Sequence, residues 1–361
     1  MGKRTGQLLI TGFLIAAVLI MASLAGGMVW KRQTVYKEVE IQKPSTEVTF
    51  ENVKEEVTSQ EVSEAEETEA ETEPEPSRDV TLLFGGDVYF SDYVLNAYDQ
   101  AGGIAGVLDE GIRNEIHQAD IFMVNQEFPF TIRGTAAEDK QFTFRIPPER
   151  ISILQEMEVD IVTLANNHIL DFGIDGLLDS CQALDEAGII YVGGGADLDR
   201  ARELKTLQVD KKTIGFLGTS RVYMDASWAA GSSHPGVFST YDPAQAIASI
   251  QKAKEQCDFL VVYVHWGVER ETEPKDYQKA MGRQYIDAGA DLVVGSHPHV
   301  LQEVEYYNGK PIVYSLGNFV FGSKIPETAL LKVVLKADEE MAAEVTLLPC
   351  TSSNGYTKLA P

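Results

Sequence analysis

Five apolar runs in this chain each stop at a residue able to hold a metal ion or move a proton. VTLLF (80–84) runs into Gly85-Gly86-Asp87, and DIFMVN (120–125) ends just before Glu127. VDIVTLA (159–165) is followed by Asn166-Asn167-His168, DFLVVYV (258–264) by His265-Trp266-Gly267, and DLVVGS (291–296) by His297-Pro298-His299. Short apolar runs without alternation read as strands buried on both faces. Two more follow the pattern, IIYV (189–192) and TIGFLG (213–218). Between the runs lie stretches with helical spacing at 147–157, 174–187, 243–255 and 276–288, and Gly188 is placed to end the second of these. Alternating strands and helices predict α/β layers. In such folds ligands gather outside the carboxyl ends of the strands. Past residue 300 the pattern changes. VEYYNGKPIVY carries an Asn308-Gly309 turn that predicts a hairpin. ALLKVVLK (329–336) and AAEVTLL (342–348) follow as late strands, so a second, partly antiparallel sheet is expected.

Taken singly, each polar residue at a strand exit has an ordinary structural role: Asp87 can cap a helix, Asn167 can hold a turn, and His168 can be a satisfied core histidine. Five independent exits ending in Asp, Glu, Asn or His point instead to one polar cluster. Imidazole, carboxylate and amide oxygen suit Zn, Mn or Fe. The three cysteines, Cys181, Cys257 and Cys350, form no CxxC pair and no disulfide framework. A set of Asp, Glu, Asn and three His is able to hold two metals around a shared carboxylate, an arrangement that activates water and clamps a phosphoryl group. Asp171 either orients His168 or caps the helix that follows. No G-x-S-x-G elbow is present, which argues against a serine hydrolase. Arg145, Arg221 and Lys324 are candidate anion binders, though nothing in their spacing demands it.

Charge narrows the class. With 30 Lys and Arg against 55 Asp and Glu, the 361-residue chain carries −25, the wrong sign for a nucleic-acid partner. Residues 8–30 form a 23-residue stretch without a charge, long enough to span a bilayer. Lys3 and Arg4 precede it, Lys31 and Arg32 follow it, and no A-x-A cleavage site fits. Residues 38–77 hold 14 Glu and two Lys, a composition that cannot offset its chain entropy by burial. The expected organisation is therefore a cytoplasmic N-terminus (1–7), a transmembrane signal anchor (8–30), a disordered Glu-rich linker (31–78), a globular domain (79–350) and a C-terminal tail (351–361). A retained anchor places the globular domain outside the cell, single-pass on the cytoplasmic membrane.

Gly85-Gly86-Asp87, Asn125-Gln126-Glu127, LANNHILDFG (164–173), HWG (265–267), GADLVVGSHPHV (289–300) and YSLGNFVF (314–321) occur in that order. This combination resembles the CapA family of capsule-synthesis proteins tied to poly-γ-glutamate, which looks like a branch of the calcineurin-like metallophosphoesterases. The resemblance covers roughly residues 80–323. It implies a four-layer α/β/β/α sandwich and one or two divalent transition-metal ions (Mn, Zn or Fe). Carried over residue by residue, it makes Asp87, Glu127, Asn167, His265, His297 and His299 metal ligands. It makes His168 a non-ligand histidine that protonates the leaving group, with Asp171 beside it. Tyr89 stands where the superfamily's D-x-H motif has histidine, and Glu127 stands where the bridging residue would be aspartate. The implied role is capsule polymer synthesis as a metal-dependent hydrolase or transferase, or as a non-catalytic subunit of a synthesis and export complex. The implied partners are the membrane, the anionic polymer and membrane-bound synthesis subunits.

Overall fold

The computed structural model describes residues 77–322, 324–337 and 343–360. The chain divides into two units, Met1–Glu71 and Thr72–Pro361. The first unit, with the expected anchor, and the linker up to residue 76 lie outside the described residues. Among the described residues no helix is long and apolar enough to cross a membrane.

The strands, in chain order, are β1 (Val80–Val88), β2 (Ile121–Gln126), β3 (Ile161–Thr163), β4 (Ile190–Val192), β5 (Gly194–Gly195), β6 (Lys205–Val209), β7 (Lys212–Ser220), β8 (Gly236–Val237), β9 (Phe259–His265) and β10 (Leu292–Ser296). β11 (Val304–Tyr307), β12 (Lys310–Val313), β13 (Asn318–Val320), β14 (Lys324–Leu335), β15 (Ala343–Ser353) and β16 (Tyr356–Leu359) follow. One sheet runs β16-β15-β14-β1-β2-β3-β4, with β13 also paired to β1; the other runs β11-β12-β10-β9-β7-β6. β1 to β4 are mutually parallel, as are β7, β9, β10 and β12.

Side-chain alternation explains why the central strands are apolar throughout. Val80, Leu82 and Phe84 of β1 face inward, meeting Ile214 and Phe216 of β7 and Val261 of β9 in a core between the sheets. Leu83 faces the other way, into a core shared with Val94, Ile112, Leu154 and Leu177 from four helices. On the second sheet Leu260 and Val262 face outward onto Ile250, Met281 and Tyr285. The helices Ala244–Lys254 and Asp276–Ala288 supply those residues. The layers therefore run helix, sheet, sheet, helix.

The expected second, partly antiparallel sheet is present and takes the antiparallel β11–β12 hairpin. Two placements need correction. The late strands β14 and β15 extend the first sheet instead, with β14 antiparallel to β1. Residues 351–359, expected as a tail, complete the first sheet, because β15 continues to Ser353 and β16 folds back onto it. Asn354 and Gly355, both at positive φ, make that turn, the same Asn-Gly chemistry as at Asn308-Gly309. Thr357 of β16 is fully buried.

Candidate metal centre

Strand register brings the exits together. Asp87 lies opposite Asn125 on β2 and Asn318 on β13, while His265 lies opposite Ser220 on β7 and Ser296 on β10. The two sheets are tied at the same end, where the Tyr263 hydroxyl donates to the Gly85 carbonyl (2.8 Å). Gly86 is required there, since a Cβ would stand 1.9 Å from the Gly317 oxygen. After β10 the chain turns sharply. His297 (φ 96°) and His299 (φ 58°) both adopt left-handed backbone, a strained choice for residues with a Cβ and one that clusters at functional sites.

Asp87, Glu127 and His265 have no solvent exposure, and His297 has 4 %. Asp87 Oδ1 accepts from the Asn125 amide (2.8 Å), and Oδ2 accepts from His297 N (3.3 Å) and lies 3.2 Å from His299 Nδ1. His265 Nε2 faces the cluster, 2.8 Å from Asn167 Oδ1 and 3.6 Å from Glu127 Oε1, while Nδ1 lies 2.9 Å from the Ser296 hydroxyl. Glu127 is the exception. Neither of its buried oxygens has a hydrogen-bond partner, and neither does His297 Nδ1. The nearest imidazole nitrogens, on His265 and His299, stand 3.6 and 3.9 Å from Glu127 Oε1.

A buried carboxylate without partners is costly, and a cation among the ligand atoms removes that cost. Ligand atoms of Glu127, His265 and His297 lie within 4.8 Å of one another, and so do those of Asp87, Glu127 and His299. Glu127 belongs to both groups, the place of a bridging ligand. Asn167 Oδ1 lies against the first group through His265. The six expected ligands are thus gathered in one cluster, and their oxygen and nitrogen donors fit a divalent transition metal.

Electrostatics agree with that fit. Burial holds His265 well below the usual imidazole range, and burial together with His299 lowers His297 to about 3. Both therefore keep the neutral form that ligation needs. Burial, reinforced by Asp87, pushes Glu127 well above the usual carboxylate range. Burial opposes a proton on His299, but Glu127, Asp87 and Asn318 together outweigh it and raise this histidine to about 10. A proton on Glu127 and a proton on His299 are alternatives, since each weakens the case for the other. Without a cation, this pocket holds an extra proton.

His168 stands beside the cluster and is held separately. Asn166 fixes its loop: the amide donates to Asn125 Oδ1 and the Gln126 carbonyl, while Oδ1 accepts from His168 N and Ile169 N. His168 Nδ1 donates to Asp171 Oδ2 (2.7 Å), which leaves Nε2 for a substrate. Asp171 also accepts from Phe144 N and pairs with Lys140. Of its two expected roles Asp171 takes the orienting one, since the Gly173–Ala187 helix has no side-chain cap. Phe144 stacks on His168 (centroids 4.1 Å) and on Tyr89 (3.9 Å), so Tyr89 is committed to an aromatic stack. Burial lowers the proton affinity of His168, and Asp171 only partly restores it.

Several neighbours carried no readable signal. Lys140 is largely buried, contacts the Asn167 carbonyl and lies over the Trp228 ring (5.2 Å), yet it sits in an ordinary polar loop sequence. Asn318, 2.7 Å from His299 Nδ1, and Ser296 support imidazoles from behind. The candidate anion binders Arg145 and Arg221 lie instead over aromatic rings, Phe172 and Tyr241 respectively. A groove beside the Ala244–Lys254 helix, lined by Arg202, Leu217 and Lys252, contains none of the site residues.

Residues 81–323 match the family model described as bacterial capsule synthesis protein PGA_cap. The chain is 34 % identical to the PGA biosynthesis protein CapA of Bacillus subtilis, over 74 % of this chain and 70 % of that protein. It is 28 % identical to the capsule biosynthesis protein CapA of Bacillus anthracis, over 77 % and 69 %. Among solved structures it is similar to a phosphatase from Mycoplasma pneumoniae, with TM-score 0.48 and 12 % identity over 77 % of this chain and 95 % of that one.

Proposed function

The chain belongs to the CapA family of bacterial capsule synthesis proteins, and we propose that it serves capsule polymer synthesis as a metal-dependent hydrolase or transferase of the metallophosphoesterase type. The polymer in this reading is poly-γ-glutamate, and the bond acted on is a phosphoester or an acyl or amide bond of the anionic chain or its precursor. The globular unit works outside the cytoplasmic membrane, tethered through residues 8–30. The observation that carries the reading is the fully buried Glu127 carboxylate, unpartnered at both oxygens among three imidazoles and a second carboxylate. Asp87, Glu127, Asn167, His265, His297 and His299 would hold one or two divalent ions. Such ions polarise a phosphoryl or carbonyl oxygen and lower the pKa of bound water. The chain's own contribution is exclusion of bulk water from the acidic pair and a proton donor held apart from it. Asp171 holds the Nδ1 proton of His168 and stabilises the imidazolium, so that a proton taken up at Nε2 from the attacking water or from solvent would pass to the leaving group.

A second reading, a non-catalytic subunit that uses the same fold for binding, is favoured by Tyr89, whose ring is stacked where a histidine ligand would be expected. Two variants separate the readings. General acid catalysis is worth about 10²–10⁴-fold in rate, so His168→Asn should abolish surface polymer while metal content stays normal. His297→Ala should lose both. Each variant is expressed in a strain lacking the native protein, and polymer and metal are measured together. Normal polymer from folded His168→Asn would remove the catalytic reading.

A further inference from the structure

We infer that Glu269 is a metal ligand acting with His297 and His299, and that it supplies the donor that Tyr89 does not. The inference rests on the metal-centre reading above. Its motive is geometric: a Glu269 carboxylate oxygen and one ring nitrogen each of His297 and His299 lie within 4.8 Å of one another. Glu269 is four residues past His265, in the loop between β9 and the Asp276–Ala288 helix.

That loop is clamped to the His-Pro-His turn. Trp266 N donates to the Ser296 carbonyl (3.1 Å), and Arg270 N donates to the Pro298 carbonyl (2.8 Å). Gly267 packs so closely that a Cβ would stand 2.9 Å from Pro298 Cγ. Further along, the Glu271 carbonyl accepts from the Gln302 amide (2.8 Å). Backbone contacts on both sides therefore hold residue 269 over the two imidazoles.

The side chain itself is exposed and has no hydrogen bond or ion pair among the described residues. Its charge nonetheless reaches the pocket, where it helps to raise Glu127. A third carboxylate beside Asp87 and Glu127 worsens like-charge repulsion unless a cation sits between them. His297 supplies an independent observation, because its buried Nδ1 has no partner. A carboxylate clamped over His299 and over His297, whose Nδ1 lacks a partner, in a cluster short of one donor, fits a ligand on the solvent side of the centre.

The test uses the full chain purified in detergent and stripped with chelator, titrated with Mn(II) by calorimetry and followed by electron paramagnetic resonance. Removing a supporting neighbour of a ligand typically costs about 10–100-fold in affinity, so Glu269→Gln should weaken Mn(II) by at least about tenfold. Glu269→His should restore most of that affinity with an altered resonance spectrum, and Glu273→Gln, exposed in the same loop, should bind as the wild type does. Unchanged affinity and spectrum in folded Glu269→Gln would overturn this inference and leave the metal centre standing. A wild-type chain that binds no Mn(II), Zn(II) or Fe(II) would overturn both.

Discussion

The Glu127 backbone N–H is bonded to the Val88 carbonyl of β1, and neither of its buried carboxylate oxygens has a hydrogen-bond partner among the described residues. Evolution rarely leaves a carboxylate in that position without a cation. The pH dependence follows from the same residues. With His299 raised to about 10 by Glu127 and Asp87 beside it, the metal-free folded protein keeps a proton that the unfolded chain would release. Groups raised on folding stabilise below their unfolded values and lose that contribution as pH climbs through the folded ones. A metal ion must displace this proton, so its affinity rises with pH, about tenfold per unit below the folded value. The melting-temperature gap between Mn(II)-loaded and chelated protein should therefore widen from pH 6 to pH 9. A gap that is flat or narrows over this range would contradict the exchange of protons for metal. Glu127→Gln should abolish the gap at every pH.

At the scale of elements, the site depends on how closely β1 approaches the segment before β13. Asp87 N donates to the Gly317 carbonyl (2.9 Å), and Gly86 alone leaves room for that carbonyl. Gly86→Ala must push the two backbones apart. Overpacking of this kind costs about 1–3 kcal/mol, and here it also displaces a ligand. Urea unfolding should show the lower midpoint, and metal content should fall with it; a variant with unchanged midpoint and occupancy would show that the contact is not needed. Long periodic elements were readable: the 276–288 helix and the strand at 258–264 agree with the structure within a residue or two. Short elements of mixed composition were not. The helices Asp92–Ala101 and Glu110–Gln118 and the edge strand β6 carry no such periodic signal. Polar and apolar residues are interspersed there, and contacts made far along the chain decide the conformation.

For the whole molecule, charge and topology pull together. On the proposed reading, a chain of net charge −25 that handles a polyanion would face repulsion, which bridging divalent cations relieve. If the anchor reading is right, protease added to intact cells should release the unit that begins near residue 72. Release only after lysis would place that unit inside. The amino-acid order by itself determined that the central strands are buried on both faces and which residues stand at their exits. Consecutive apolar residues have no other stable environment, and a strand's carboxyl end lies wherever its apolar run stops. The tertiary structure alone decided which sheet received the late strands, because pairing depends on edges left open by distant segments. It alone turned Asp171 onto His168, buried Lys140 beside them and clamped Glu269 over the His-Pro-His turn. Those contacts join residues on separate loops, and loop conformation is set by what it packs against, with no periodicity in the sequence to announce it.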